Sequence, residues 1–171
     1  MGRRSVLAGR SVSESPAMTN LLLRDVSEDD LQVFFKHQRD PEACEMAAFP
    51  ARDRTAFMAH WANILEDDTV DRKTILFDGQ VAGYIVCFER DGKRQVGYWI
   101  GKEFWGRGIA TQGLAAFLGS LLERPLHAYV AKHNHGSLRV LEKCGFELHG
   151  ESLAPCAEGE PVIEEFILTL E

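Results

Sequence analysis

Several things this chain lacks narrow its function before anything it contains does. Lysine and arginine form no run, and 19 of them face 26 acidic residues for a formal net charge of -7. That balance disfavours nucleic-acid binding, which needs clustered cations against phosphate. The four cysteines, Cys44, Cys87, Cys144 and Cys156, make no C-x-x-C pair and have no histidine at metal-ligand spacing. They read as reduced thiols of a cytoplasmic protein, and the scattered histidines give no reason to expect a metal. No apolar run follows Arg3, Arg4 and Arg10, so neither a signal peptide nor a membrane span is supported. Val6 breaks the myristoylation pattern that Gly2 would begin. Internal repeats and low-complexity segments are absent too.

What is present is enough for one sizeable core: 171 residues, 45% of them hydrophobic, suit a single domain. Residues 1–17 read as a disordered leader, with Met18 an alternative start or domain edge and 18–171 the domain. The acidic balance suits a cationic substrate such as a protonated amine, and equally suits plain solubility.

Along the chain, Leu21 to Arg24 reads as a strand, and the acidic stretch Ser27 to Asp30 as the cap of a helix carrying Leu31, Phe34 and Phe35. A second helix runs from about Arg52 to Leu65, with Phe57, His60, Trp61 and Ile64 on one face, and Cys44 to Pro50 between them reads as irregular. From Lys73 the hydrophobic period becomes two. Strands at Thr74–Phe77, Val81–Phe88 and Gln95–Ile100 are joined by Asp78-Gly79 and Asp91-Gly92 turns, which predicts an antiparallel meander. A helix striped with Ala110, Leu114, Phe117 and Leu121 follows, then a buried strand at Leu126–Val130 and a short helix from Ser137 to Lys143 closed by Gly145. Two last strands near Phe146–Leu153 and Val162–Leu170 surround a polar loop.

The informative passage is Val96-Gly97-Tyr98-Trp99-Ile100 feeding through Trp105-Gly106-Arg107-Gly108-Ile109-Ala110-Thr111 into the amphipathic helix. Two glycines let the backbone take positive φ and come close to a ligand, while successive amides and a helix N-terminus attract negative charge. A pyrophosphate fits such a cradle, with Arg107 adding a charge-assisted contact. Gly-x-Gly before a helix is also a common tight turn or packing contact. No Lys-Ser or Lys-Thr follows Gly108, which disfavours a P-loop. Thr111 stands where a dinucleotide fingerprint needs its third glycine, and the preceding strands are a meander rather than a βαβ unit.

Trp105-Gly106-Arg107-Gly108-Ile109-Ala110 resembles the Gln/Arg-x-x-Gly-x-Gly/Ala motif of the GNAT superfamily of N-acetyltransferases. Asn134-His135-Gly136-Ser137, followed by Val140 to Phe146, resembles that superfamily's next block, in the manner of its RimJ/RimL-like branch. With the order of elements, the resemblance covers most of residues 19–171. It implies an α/β domain of α+β type, with a mixed, mostly antiparallel sheet of about six to seven strands, about four flanking helices, and strands splayed at the acyl-CoA site. It implies acetyl-CoA as co-substrate, its pantetheine arm pairing against Tyr98, Trp99 and Ile100, its pyrophosphate on the amides of Gly106, Arg107, Gly108, Ile109, Ala110 and Thr111, and Asn134 on the pantetheine. Asn134 also suits a helix cap. Trp105 departs from the family's Gln or Arg, and with Trp99 it also reads as hydrophobic filling.

Acetyl transfer requires a neutral amine, a stabilised oxyanion and protonation of the departing thiolate. An α-amino group with pKa near ~8 is already about a tenth neutral at pH 7, whereas a lysine amine near ~10.4 is not. A main-chain N–H near Ile100 would meet the oxyanion. The resemblance nominates Ser137 for the thiolate, a residue that also suits a helix's first turn; the tyrosine that some relatives use one turn later is Leu141 here. Gln95 and Tyr129 stand where relatives carry Glu, and none of Glu45, His60 and Glu89 stands out as a base. The amine is a protein N-terminus or a small molecule, bound by a monomer or homodimer. A non-catalytic acyl-CoA sensor is the alternative that the missing base raises.

Overall fold

In the computed structural model, residues 20–154 and 158–171 are described; the expected leader at 1–17 and Cys156 lie outside them. Thirteen elements follow one another: β1 (Leu21–Arg24), α1 (Asp30–Gln38), α2 (Pro41–Ala47), α3 (Arg54–Glu66), β2 (Asp71–Phe77), β3 (Gln80–Arg90), β4 (Lys93–Ile100), a 3-10 turn (Lys102–Phe104), α4 (Ile109–Leu118), β5 (Leu126–Ala131), α5 (His135–Lys143), β6 (Glu147–Leu153) and β7 (Glu164–Leu170). The strands form one seven-stranded sheet in the order β1-β2-β3-β4-β5-β7-β6. Every neighbouring pair is antiparallel except β4 and β5. The expected meander is there, its two hairpins turning on Asp78-Gly79 and Asp91-Gly92, all four residues at positive φ.

The sheet is covered on both faces because its central strands are apolar in both registers. One face carries Ile75, Ile85, Cys87, Val96 and Ile100 beneath the stripe Ile109, Leu114 and Phe117 of α4. The other carries Tyr84, Val86 and Phe88 beneath Leu31 and Phe34 of α1 and Phe57 and Trp61 of α3. Trp61 is the hub of this second cluster, its ring 4.8 Å from Tyr84 and 5.1 Å from Phe34.

Two local expectations are corrected. Cys44 to Pro50 is not wholly irregular: α2 runs through Ala47, which makes five α-helices where about four were expected. Asp40 caps α2 by accepting from the Ala43 amide and Pro41 opens its first turn. At seven residues it is too short for an apolar stripe to reveal it. The Ser27 to Asp30 stretch also works differently from a simple side-chain cap. Asp29 makes no capping bond; instead buried Asp30 accepts from the Ser27 amide, from Thr74 Oγ1 at 2.7 Å, and from both terminal nitrogens of Arg24 at 2.6 and 2.8 Å.

Asp30 therefore ties α1 to β1 and β2. Burial alone would raise its carboxyl, but the bonds from Arg24, Ser27 and Thr74 outweigh burial and bring it down to about 2. A carboxyl lowered on folding contributes stability above its ordinary value near ~3.9 and loses it as the pH falls through the folded value. Asp30→Asn is expected to cost about 2 kcal/mol at neutral pH, measured by urea unfolding. The variant is also expected to flatten the loss of stability between about pH 4 and pH 2; an unchanged acid limb would refute this role.

Candidate active site

β4 and β5 run parallel but share a single register pair, Gln95 with His127, and then diverge towards their C-terminal ends. β4 can lean towards β3 as it leaves β5 because Gly83 has no side chain: a Cβ there would lie 2.0 Å from the Trp99 carbonyl oxygen. The divergence opens a cleft of about 470 Å³. Its walls are Tyr98, Trp99 and Ile100 of β4, the segment Phe104 to Thr111 without Arg107, Ala43, Met46 and Ala47 of α2, and Asn134, Gly136, Ser137, Arg139, Val140 and Lys143 around α5. Of the residues expected to hold the cofactor or protonate the thiolate, Arg107 alone is missing from this wall. Its guanidinium instead lies 5.9 Å over the Phe104 ring, so its amide alone faces the loop.

At the floor, Gly106 and Gly108 adopt φ of 74° and 73°, a region that side chains with a Cβ enter at a cost. Gly108 is also the N-cap of α4 and has no side chain to satisfy the first turn. Trp105 N–H closes onto Lys102 and Gln112 N–H onto Gly108, but none of the amides from Gly106 to Thr111 has an acceptor among the described residues. A row of bare N–H groups at the positive end of a helix is a seat for an anion.

The edge of β4 is open in the same direction. Gly101 N–H donates to the Ala82 carbonyl on the β3 side, while the Ile100 carbonyl accepts from Trp105 Nε1 at 3.0 Å on the other. Strand alternation then turns the main-chain groups of Tyr98 and Ile100 towards the cleft. Trp105 is thus more than filling, since its indole braces the loop against the strand that leads into it.

Across the cleft, Asn134 caps α5 by accepting from the Ser137 amide at 3.2 Å. Ser137 is half-buried on the wall, its carbonyl 3.5 Å from the Tyr98 hydroxyl, which burial holds up at about 12. Arg139 and Lys143 bring positive charge to the same side. Sequence reasoning passed over them, although their spacing of four on a helix was the available signal.

Among the described residues no Asp, Glu or His lines the cleft. Leu141 is buried in the core, Glu89 lies near the Arg90 end of β3, and Gln95 sits at the single bridge between β4 and β5. His60 lies on α3 and is lowered by burial and by Arg52. The carbonyl of Glu45 accepts from His133 Nε2 at 2.8 Å, which fastens the end of α2 to the turn before α5. Among the described residues no three metal-ligating side chains gather, and no helix is long and apolar enough to cross a membrane.

The profile of the acetyltransferase (GNAT) domain matches residues 20–147, and the chain belongs to that family of acetyl-CoA-dependent N-acyltransferases. No curated protein matches the sequence. Similar solved structures include a spermidine N-acetyltransferase from Vibrio cholerae in complex with CoA and spermine, at 16% identity and a TM-score of 0.75 over 88% of this chain and 94% of that one. A GNAT-family acetyltransferase from Bacillus anthracis superposes with a TM-score of 0.74 at 16% identity, covering 88% and 93%. An aminoglycoside acetyltransferase in complex with coenzyme A does so at 0.69 and 17%, covering 86% and 94%. At these identities the likeness establishes the fold, including the mostly antiparallel seven-stranded sheet.

Proposed function

We propose that the chain transfers an acetyl group from acetyl-CoA to a primary amine, either a protein N-terminus in the manner of the RimJ/RimL-like branch or a small molecule, by direct attack with both substrates bound. The observation that carries this reading is the row of unpartnered amides from Gly106 to Thr111 beneath a cleft whose strand edge is open. A diphosphate suits that row, with Arg139 and Lys143 to neutralise charge beside it, and an extended amide-bearing arm suits the edge at Tyr98 and Ile100. Asn134 is near enough to the cleft to meet that arm while its Oδ1 caps α5.

The nitrogen of the amine attacks the thioester carbonyl, the C–S bond breaks, the amine gives up a proton and the thiolate gains one. The Ile100 N–H faces the side on which the oxyanion develops, and Ser137 supplies a hydroxyl for the thiolate. With no carboxylate or histidine on the wall among the described residues, the amine's proton leaves through water, which favours an acceptor of modest basicity such as an α-amine. Cytoplasmic residence and action as a monomer or homodimer belong to the same reading.

Acetyl-CoA consumption against peptides, polyamines and aminoglycosides tests it. Amine-dependent thiol release is the expected result; tight CoA binding with no turnover across the panel would favour the non-catalytic sensor that the base-free wall also fits. Ser137→Ala is expected to lower kcat about 10- to 100-fold with little change in CoA affinity, and a kcat within about twofold of wild type would remove Ser137 from the chemistry.

A further inference from the structure

Three arginines gather around two aromatic rings beside the cleft. The guanidinium groups of Arg39 and Arg54 each lie 5.5 Å over Phe35, and that of Arg52 lies 4.8 Å over Phe49. Arg39, Arg52 and Arg54 line one open surface pocket with Phe35. None of the three has a carboxylate partner among the described residues, although the chain as a whole is acidic. Asp53 shares the pocket, but one of its carboxylate oxygens accepts from the Ala56 amide at 2.8 Å. Gathering unpaired like charges is unfavourable unless an anion joins them.

The patch adjoins the cleft at Trp99. Phe49 meets Trp99 edge-on with ring centres 6.5 Å apart, and Trp99 lines the cleft. Tyr84 stands opposite Trp99 in the β3–β4 ladder, on the same face of the sheet. The charge of Arg52 reaches Tyr84 there, opposing the burial that raises its hydroxyl.

We propose that this patch is the anion-binding half of the acceptor site: the amine acetylated here carries an oxyanion, carboxylate or phosphate, set several bonds from the reacting nitrogen and held by Arg52 with Arg39 or Arg54. The proposal rests on the acetyl-transfer reading and names its substrate class. From Trp99 the path runs 6.5 Å to Phe49 and a further 4.8 Å to Arg52. A free α-amino acid, whose carboxylate carbon is only two bonds from the reacting nitrogen, is too short for that path. An extended peptide advances about 3.3 to 3.6 Å per residue, so an acidic side chain at the second or third position reaches the patch. A polyamine offers it no anion and adds repulsion.

The test compares kcat/KM for Ala-Asp-Glu-Ala amide, its neutral counterpart Ala-Asn-Gln-Ala amide, a phosphoserine peptide and spermidine, in the full chain and in Arg52→Gln. The anionic peptides are expected to exceed the neutral one by about tenfold or more, with spermidine last, and the better of the two anions identifies the group. Arg52→Gln is expected to erase the preference, bringing kcat/KM for the anionic peptides to within about twofold of the neutral one in the same variant; Arg39→Gln with Arg54→Gln serves if Arg52→Gln melts early. Equal rates for acidic and neutral peptides, or a preference for spermidine, would overturn the proposal. If no amine is acetylated, calorimetry of the acidic peptide against the CoA-loaded protein decides. Binding that needs Arg52 upholds the patch while refuting acetyl transfer, and no binding overturns the patch.

Discussion

Replacing Gly108 by valine is expected to weaken coenzyme A binding about 100-fold or more while leaving the protein folded. The residue sits at φ 73° at the mouth of α4, and a Cβ there would meet nothing closer than Gln112 Nε2 at 3.6 Å. The fold therefore has room for a Cβ, and backbone strain of about 1 to 2 kcal/mol opposes it. The ligand has no such room, because the new side chain stands where an oxygen must approach the amides. Two hydrogen bonds to a charged group, at about 1.5 to 3 kcal/mol each, are then lost or lengthened. At 1.4 kcal/mol per tenfold change, that corresponds to about 100-fold or more. Calorimetric titration with CoA measures it, and Gly108→Ala should show a smaller loss. An affinity within about threefold of wild type in the valine variant would mean that the amides do not hold the diphosphate.

Removing the Trp61 side chain is expected to cost about 3 to 5 kcal/mol of stability. Trp61 is 1% exposed, between Phe34, Phe57 and Tyr84. Urea unfolding of Trp61→Ala measures the loss, and a change below about 1 kcal/mol would show that α3 packs loosely on the sheet. Because Trp61 lies on the face opposite α4, CoA affinity of the folded variant should hold while the acceptor KM rises, since Tyr84 and Trp99 lose their backing.

The parts of this molecule that local chemistry controls were legible in the sequence. Asp78-Gly79 and Asp91-Gly92 dictate their turns through positive φ, Gly145 ends α5 at φ 93°, and α4 announces itself by an apolar stripe. Gly106 and Gly108 were readable for the same reason. What escaped depended on contacts distant in sequence. α2 is too short to carry a period, and it forms a wall because the turn between β5 and α5 fastens its end. The indole of Trp105 finds its acceptor in Ile100, and Arg107 turns to Phe104 rather than to the cleft, neither of which spacing can reveal. Arg39, Arg52 and Arg54 are separated by a helix and a loop, so their clustering belongs to the tertiary structure alone.

The most direct test is a backbone amide spectrum of the protein recorded while CoA is added. A diphosphate seated on the loop should shift the amide signals of Gly106 through Thr111 strongly, with those of Tyr98 and Ile100 following as the open edge of β4 is filled. Saturable binding that leaves the Gly106 to Thr111 signals in place and perturbs another region would contradict the account at its root.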